Sequence, residues 1–283
     1  AMGCSRGAGG ECVMTFLALP FMRTAFGAGL LAGTALSVIG IFSATRSVSF
    51  SGLAASQLAA LGGVVGIVLG LHIGASVFSW VFVLMGLFAL ALLSRSRRTS
   101  ADSWVATLYV LGAALAVLVL SKSPRGETEA LGIFFGNILA LGNREVWEAL
   151  VLFLLTLAGL AIWFRRWVWL AFDPAGAEVA GVRVGLWNGI FQVVFAAALT
   201  LSIHIFGVLL SFAYLVLPAT AGLLVVRRIQ SLVVFCAVSA AAVTAIGFEL
   251  SFRWDFPTGP FVSALLALLA IGARLYVGRR GEG

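Results

Sequence analysis

Charge is scarce in this chain: 10% of its 283 residues are charged, against roughly 25% in a typical soluble domain. Lysine occurs once, as Lys122, so the chain has no P-loop lysine to reach the phosphates of a nucleotide. Histidine occurs only as His72 and His204, and the sequence contains neither a G-x-S-x-G elbow nor an HExxH motif. Its three cysteines are too few and too scattered for a disulfide framework or a zinc motif. We therefore predict no catalytic residue.

Apolar residues are abundant, at 61% of the chain. They recur in runs of about 20 residues, the length that crosses a bilayer core as a helix, whereas a barrel would show short alternating segments. The predicted spans are 20–43, 52–71, 74–94, 104–121, 147–164, 185–204, 206–226, 231–251 and 260–278. We predict an all-α, polytopic transmembrane helical bundle of about eight to nine spans.

The first thirteen residues, AMGCSRGAGGECV, differ in character from the rest of the chain. They are non-periodic, and Met14 opens a run typical of a first membrane segment. We interpret residues 1–13 as an upstream extension or expression remnant, and 14–283 as one transmembrane domain.

The net charge of +7 does not indicate nucleic-acid binding, because the basic residues fall in the loops between apolar spans. If the N-terminus lies outside, twelve arginines fall inside and six basic residues outside. The inside set is Arg46, Arg95, Arg97, Arg98, Arg165, Arg166, Arg183, Arg227, Arg228, Arg274, Arg279 and Arg280; the outside set is Arg6, Arg23, Lys122, Arg125, Arg144 and Arg253. The positive-inside rule then predicts an external N-terminus and a cytoplasmic C-terminus in a plasma (inner) membrane.

Two connections carry further apolar segments. Within 122–146, TEALGIFFGNILALG is shorter than a span and predicts a re-entrant or interfacial helix. The segment 167–185 mixes aromatic residues with Asp173, Pro174 and Glu178, which predicts a short amphipathic helix at the cytoplasmic surface.

Ionisable residues at membrane depth are candidates for function. Here they are Glu249 and His204, and in the predicted topology both lie toward the outer face together with His72. Two interpretations stay open: polar helix ends that meet headgroups and water, or an external vestibule that receives a cationic or polar substrate.

The stretch LVLPATAGLLVVRR (215–228) places a proline and small residues near the inner end of a span. Pro218 lacks a backbone donor, and the small residues allow close approach of another surface. One interpretation is a short displaced helix that docks on a peripheral cytoplasmic partner; the other is a kinked span end packed on its neighbours. The residues concerned are Pro218, Ala219, Thr220, Ala221, Gly222, Arg227 and Arg228.

GVLLSFAYLVLPATAGLLVVRR resembles the end-of-span signature of bacterial ABC-transporter permeases for zinc, manganese and iron uptake. Other segments resemble that family in its order, from FLALPFMRTAFGAGLL through FFGNILAL, AFDPAGAEVAGV and LSIHIFGVLL to FRWDFPTGP, so that the resemblance covers Thr15 to Val277. It implies a type II-like importer permease paired with a second permease copy in a homodimer or heterodimer. It also implies a separate ABC ATPase, which binds ATP and Mg²⁺, and an extracytoplasmic solute-binding protein. The stretch 215–228 would then contact the ATPase.

One departure from the family concerns the substrate. Where the family usually has Gly-Asp and, after three residues, His, this chain has Gly52-Leu53 and then Gln57. A divalent ion would lose a carboxylate and an imidazole that lie one helical turn apart. The resemblance implies a divalent metal (Zn, Mn or Fe) as the substrate, and the loss of these two ligands makes a metal chelate more plausible. The candidate path residues are Leu53, Gln57, His72, His204 and Glu249. The alternatives are a permease for a non-metal solute, siderophore or vitamin, or an ion-coupled secondary transporter.

Overall fold

A computed structural model of the chain describes residues 20–45, 51–69, 75–93, 101–121, 136 and 143–281. These residues form ten helices in chain order: α1 (Pro20–Ala44), α2 (Ser51–Val68), α3 (Ala75–Leu93), α4 (Ala101–Leu120), α5 (Asn143–Ile162), α6 (Phe164–Phe172), α7 (Pro174–Val179), α8 (Val184–Val225), α9 (Ile229–Trp254) and α10 (Thr258–Gly281). The predicted all-α class is confirmed. His72 and the predicted re-entrant or interfacial helix TEALGIFFGNILALG (128–142) lie outside the described residues, apart from Gly136.

Six helices in the described part of the chain are long and apolar enough to cross a membrane, or seven if the bent pair α5–α6 forms one span. The shorter apolar helix Val77–Leu93 within α3 falls below that length. The predicted count of eight to nine is higher partly because α8, which is 42 residues long, is counted here once.

Helix α8 does not run straight. At 1.5 Å per residue, 42 residues would extend about 63 Å, twice the thickness of a bilayer core. Gly207 interrupts it with φ 80° and ψ 170°. The hydroxyls of Ser202 and Ser211 on either side are 2.7 Å apart, although residues nine apart in a continuous helix are separated by about 13.5 Å. The chain therefore folds back at Gly207 into two arms, α8a (184–206) and α8b (208–225). The predicted division between the spans 185–204 and 206–226 is thus present, at Gly207.

The second arm differs from the prediction made around Pro218. One of the two interpretations placed a short displaced helix there, but Pro218 lies inside α8b, and Gly207 is the one residue of α8 with non-helical backbone angles. The helix continues to Val225 because the missing proline donor affects one hydrogen bond, while small residues on both sides pack against neighbouring helices. The displaced helix was wrong as a local structure.

The amphipathic segment predicted over 167–185 is two short helices. The chain bends by 73° between the end of α5 and α6, and α6 and α7 are divided at Asp173. The Asp173 carboxylate accepts a hydrogen bond from the Gly176 backbone N–H at 2.8 Å, and Pro174 occupies the first turn of α7. An N-cap followed by proline starts a new helix, which explains the division.

The core lies where α8 packs against α1, with α2, α9 and α10 around it. Its largest buried side chains include Phe42, Phe153, Trp167, Phe206 and Tyr214. Backbones approach closely where glycine leaves room: a Cβ at Gly40 would collide with the carbonyl oxygen of Leu215, and one at Gly62 would lie 2.6 Å from the Ser79 Cα. Close packing of this kind holds helices together in lipid, where the hydrophobic effect cannot.

The bundle has two ends. At one, which we name the arginine end, α1 stops at Ala44, α8a begins, and α8b gives way to α9 at Arg228. The opposite end holds the Gly207 corner and the α9–α10 connection. Among the described residues, the arginine end carries Arg165, Arg166, Arg183, Arg227, Arg228, Arg274, Arg279 and Arg280, whereas the opposite end carries Arg23, Arg144 and Arg253. The arginine bias expected from the sequence therefore concentrates at one end of the fold.

Candidate functional site

The small residues of the stretch 215–228 are mostly buried. Ala219 and Ala221 are fully buried, and Pro218 and Gly222 are buried as well. Ala219 packs with Ile41 of α1 and with Leu232 and Cys236 of α9 in one apolar cluster. Thr220 is exposed, but its hydroxyl donates to the Val216 carbonyl at 2.8 Å. These small residues let α8b pack between helices of its own chain.

Gly222 makes this point most clearly. A Cβ added there would lie 2.6 Å from Leu232 Cδ1, 3.0 Å from Cys236 Sγ and 3.1 Å from Phe235 Cδ1. The Cys236 thiol also donates to the Pro218 carbonyl at 3.3 Å. Gly222 therefore faces α9 and not a surface open to a partner.

The exposed part of the stretch is its last corner. Val226 and Arg228 adopt extended backbone angles, with ψ 130° at both. The Val226 N–H bonds to the Gly222 carbonyl at 2.8 Å and closes α8b, and the Arg228 carbonyl accepts from the Leu232 N–H at 2.9 Å and opens α9. Arg227 and Arg228 are exposed. The structure thus presents two arginines on a short connection between rigid helices, at the arginine end.

Gln57, one of the predicted path residues, lies inside the bundle. It is 4% exposed, and its Oε1 has no hydrogen-bond partner among the described residues. It faces α4, since a Cβ at Gly112 would lie 3.2 Å from its Cβ. A buried amide oxygen without a partner costs roughly 1–3 kcal/mol, so such an atom in a native site calls for an explanation. Leu53, one turn earlier, is half-buried.

His204 lies beside the Gly207 corner. Its Nε2 is 3.0 Å from the Ser79 hydroxyl of α3, and a Cβ at Gly63 of α2 would lie 3.3 Å from the ring. Three helices therefore meet at this imidazole. Gln57 is six residues, or about 9 Å, away along α2 from Gly63, so the structure places the two predicted path residues at different depths and does not bring them together.

Glu249, the remaining path candidate, is paired. Its Oε1 accepts from Arg253 Nε at 2.6 Å within the last turns of α9, and its Oε2 has no partner among the residues described. The neighbouring Phe248 packs edge-on against Phe26 of α1. The ion pair neutralises the carboxylate at the end opposite the arginines, on a different helix from Gln57 and His204.

Two features at the arginine end were missed from the sequence. The first is an aromatic cluster in which Trp187 meets Trp163 and Trp167, with centroids 5.8 and 5.3 Å away, and Arg166 lies 5.0 Å above its ring. Phe191 extends the cluster to Phe42 of α1. It fixes α6 against α1 and α8a. The signal available in the sequence was the recurrence of tryptophan over 163–187.

The second is a cleft of about 470 Å³ between the end of α1, the start of α2, and helices α3, α6 and α8a. Ser43, Thr45, Ser51, Asn188 and Gln192 line it beside Phe191 and Phe195. Asn188 and Gln192 are one turn apart in an apolar helix, a spacing that could have indicated this cleft. Hydroxyl and amide groups of this kind suit a hydrated or oxygen-liganded solute and provide no nucleophile–base pair. Within the described residues, no three His, Cys, Asp or Glu side chains could hold a metal ion together.

The chain is similar in sequence to named transport proteins. It is 22% identical over 263 residues to the manganese transport system membrane protein MntC of Listeria innocua, covering 92% of each chain. It is also 22% identical to the manganese import system permease protein ScaB of Streptococcus gordonii, with 88% of each chain covered. Among solved structures, PsaBC from Streptococcus pneumoniae in complex with Fab superposes with a TM-score of 0.83, at 19% identity and over 93% of this chain and 94% of that one.

The match to a family model covers nearly all of the described bundle, from α1 to the last turns of α10. It extends over residues 18–277 and is to the ABC 3 transport family. Apart from Phe16 and Leu17, the segments whose resemblance was noted in the sequence fall in this range, including the buried α8b and the exposed corner after it. This chain, a multi-pass membrane permease, belongs to the ABC 3 transport family.

Proposed function

We propose that this chain is the membrane permease of an ATP-driven importer for a divalent metal, with manganese as the first candidate. The observation that carries the proposal is the family match over 18–277. The two relatives named above are manganese transport proteins, and the similarity extends over most of their length. This supports manganese as the substrate.

The proposed topology has nine crossings and a cytoplasmic arginine end. Counting α8a and α8b separately, α5–α6 as one bent span and α3 as a short one raises six helices to nine. The excess of arginine at one end supports its cytoplasmic placement. A single cysteine introduced at Gly281 should be labelled only from the cytoplasmic side of sealed cells, and labelling from outside would invert this topology.

The proposed coupling element is the α8b–α9 corner. An ATPase subunit at the cytoplasmic face would supply ATP and Mg²⁺ binding, and the exposed Arg228 of this corner would contact it. Because α8b is held by α1 and α9 through buried small residues, displacement of the corner would move α8b as a unit. Alternating access would follow from this movement. On the other side, a solute-binding protein would deliver the substrate near the Gly207 corner.

The proposed substrate contact is the Gln57 amide oxygen. Carbonyl and carboxylate oxygens suit hard ions such as Mn²⁺, whereas imidazole suits Zn²⁺ and softer ions. Leu53 supplies no ligand, so one subunit offers only an incomplete set. A second permease copy, or the chelating groups of a bound organic ligand, would complete it. A metal chelate is therefore the second candidate substrate, favoured by the absence of a carboxylate at 53.

The test is transport by the complex reconstituted with its ATPase and binding protein. Gln57→Leu removes the unpaired oxygen at nearly constant volume, so the free energy of unfolding should hold or rise while manganese uptake falls at least about tenfold. Ser56→Ala is the matched control, since the Ser56 hydroxyl donates to the Leu53 carbonyl of its own helix at 2.8 Å. Uptake unchanged by Gln57→Leu would exclude this contact.

A gain-of-function variant tests the same site from the other side. Leu53→Asp with Gln57→His restores the carboxylate and imidazole that the family usually carries, and should raise the affinity for a divalent ion measured by calorimetry on the purified permease. No gain in affinity would mean that these positions do not face the substrate.

A further inference from the structure

A groove at the arginine end, distinct from the candidate substrate path, has features of its own. It is a cleft of about 840 Å³ between α6 and the α8b–α9 corner, which we name the arginine groove. Arg165, Trp169 and Phe172 of α6 line one wall, and Leu223, Arg227 and Gln230 line the other. The two arginines are exposed, so both guanidinium groups are available at its mouth.

The arginine groove continues into an apolar trough. A second cleft of about 560 Å³ shares Val226 and Gln230 with it and runs along α9 past Val234 and Val238. Gln230, Val234 and Val238 are four residues apart and so lie in one row, rising about 12 Å along the helix. Val234 and Val238 are 61% and 60% exposed. A basic mouth and an apolar trough are thus joined in line.

The charge in the groove is unbalanced. Asp173 is the one carboxylate that lines it among the described residues, and its Oδ1 already caps α7 through the Gly176 N–H. Trp169 and Phe172, 40% and 57% exposed, stand beside the arginines, in the arrangement of aromatic and basic residues found at a membrane surface. The mouth therefore favours an anion at the level of the headgroups.

The position and the apolar lining of the trough limit which class of ligand can bind. The trough lies along a membrane-spanning helix, so its occupant must be apolar over about 12 Å and anionic at one end. A water-soluble peptide or free phosphate meets only the second requirement. We propose that the arginine groove binds an anionic glycerophospholipid, with its phosphate between Arg165 and Arg227 and an acyl chain along Gln230–Val238.

The first test measures retained lipid. The permease is purified in mild detergent after exposure to phosphatidylglycerol and phosphatidylcholine in equal amounts, and the bound lipids are quantified by native mass spectrometry. The wild type should retain phosphatidylglycerol preferentially. Each of Arg165→Gln and Arg227→Gln should lower the ratio of retained phosphatidylglycerol to phosphatidylcholine about fivefold. That factor corresponds to the binding free energy that one arginine contributes near an anionic lipid surface. Arg165→Lys keeps the charge and should restore most of it.

The matched control is Arg274→Gln, an exposed arginine at the same end that lines neither cleft. It should leave the preference unchanged. An equal loss in Arg274→Gln would show that net charge alone is responsible and would overturn the proposal, as would equal retention of the two lipids by the wild type.

A further variant, Val238→Trp, tests the trough. Phosphatidylglycerol bound in the groove should raise the Tm of the wild type. Val238→Trp should displace the acyl chain and abolish this rise, and inorganic phosphate should raise the Tm of neither the wild type nor any variant. A rise in Tm with inorganic phosphate alone would show that the site binds free anions and does not require a lipid. Loss of dimer in Val238→Trp would assign the trough to a second copy, and loss of lipid preference on adding the ATPase would assign the mouth to that partner. Each of these results would overturn the proposal.

Discussion

The arm α8b is bounded by two chain reversals, which differ in burial, polarity and hydrogen bonding. The corner at Gly207 is buried, apolar and closed by the Ser202–Ser211 hydrogen bond. The corner at 226–228 is extended, exposed and basic. The first joins α8a to α8b within the core, and the second joins α8b to α9 at the surface.

The difference shows where each corner gains its stability. At Gly207 the backbone angles exclude side chains, and a Cβ added at Gly136 would collide with the backbone of Phe206, so the corner depends on tertiary contacts. At 226–228 the hydrogen bonds are local to the chain, and the side chains are free to meet an external surface. The buried corner should tolerate little change, whereas the exposed one should tolerate much without loss of fold.

Gly207→Val should give the largest effect. At φ 80° and ψ 170° the backbone is in a region that is almost exclusive to glycine, and a β-branched residue there should destabilise the fold by about 3 kcal/mol. Thermal unfolding in detergent and membrane yield measure this. Gly189→Ala, in the same helix with open space at its Cβ, is the control and should match or exceed the wild type. A Gly207→Val protein as stable as Gly189→Ala would mean that the corner is not glycine-dependent.

Gly222→Leu should give the next largest effect, at the buried end of α8b just before the exposed corner. Leu232, Cys236 and Phe235 fill the space that the new side chain needs, so overpacking should destabilise the permease by about 2 kcal/mol. Gly272→Leu on α10, where no atom lies within 4 Å of the Cβ, is the control. A shift in Tm with Gly222→Leu and none with Gly272→Leu is expected. Normal stability together with lost ATPase stimulation would instead indicate that Gly222 faces a partner.

These two glycines show what sequence could and could not provide. Apolar run length predicted the helices within a few residues, as in 231–251 against the observed Ile229–Trp254, because the bilayer sets that length. Apolar run length could not predict which surface Gly222 faces. Small residues allow close approach equally to a helix of the same chain or to a partner, and only the three-dimensional course of α9 decides between them.

The candidate site shows the same division. Leu53 and Gln57 were identified from their position in a motif, yet the burial of Gln57 Oε1 without a partner among the described residues is a result of three-dimensional packing. Glu249 was selected as an ionisable residue at membrane depth. Its pairing with Arg253, four residues later in the same helix, could have been read from the spacing. The clefts at the arginine end combine residues from distant segments, which no local pattern reveals.

The Ser202–Ser211 hydrogen bond should have a smaller effect than either glycine. Ser202→Ala or Ser211→Ala alone leaves one buried hydroxyl without its partner and should destabilise the fold by about 1 kcal/mol. The double replacement removes both polar groups and should cost less than the sum. A double-mutant cycle in Tm or denaturant midpoint measures the coupling. Additive effects would show that the two hydroxyls do not stabilise the corner together.

Arg228→Ser at the exposed corner should have the smallest effect on the fold and still change function. The Arg228 side chain caps no helix, because the hydrogen bond at the start of α9 comes from its backbone carbonyl, so stability should change by at most about 0.5 kcal/mol. If the corner contacts the ATPase, loss of one basic group there should weaken that contact and reduce substrate-stimulated ATP turnover severalfold. The difference in turnover from the wild type should become smaller at higher salt, because salt screens the interaction of the lost charge.

Arg183→Ser, also exposed at the arginine end but before α8a, is the control for a general loss of charge. Turnover should fall in Arg228→Ser and persist in Arg183→Ser at equal Tm. Equal turnover in both would place the coupling contact elsewhere and leave the exposed corner as a plain connection.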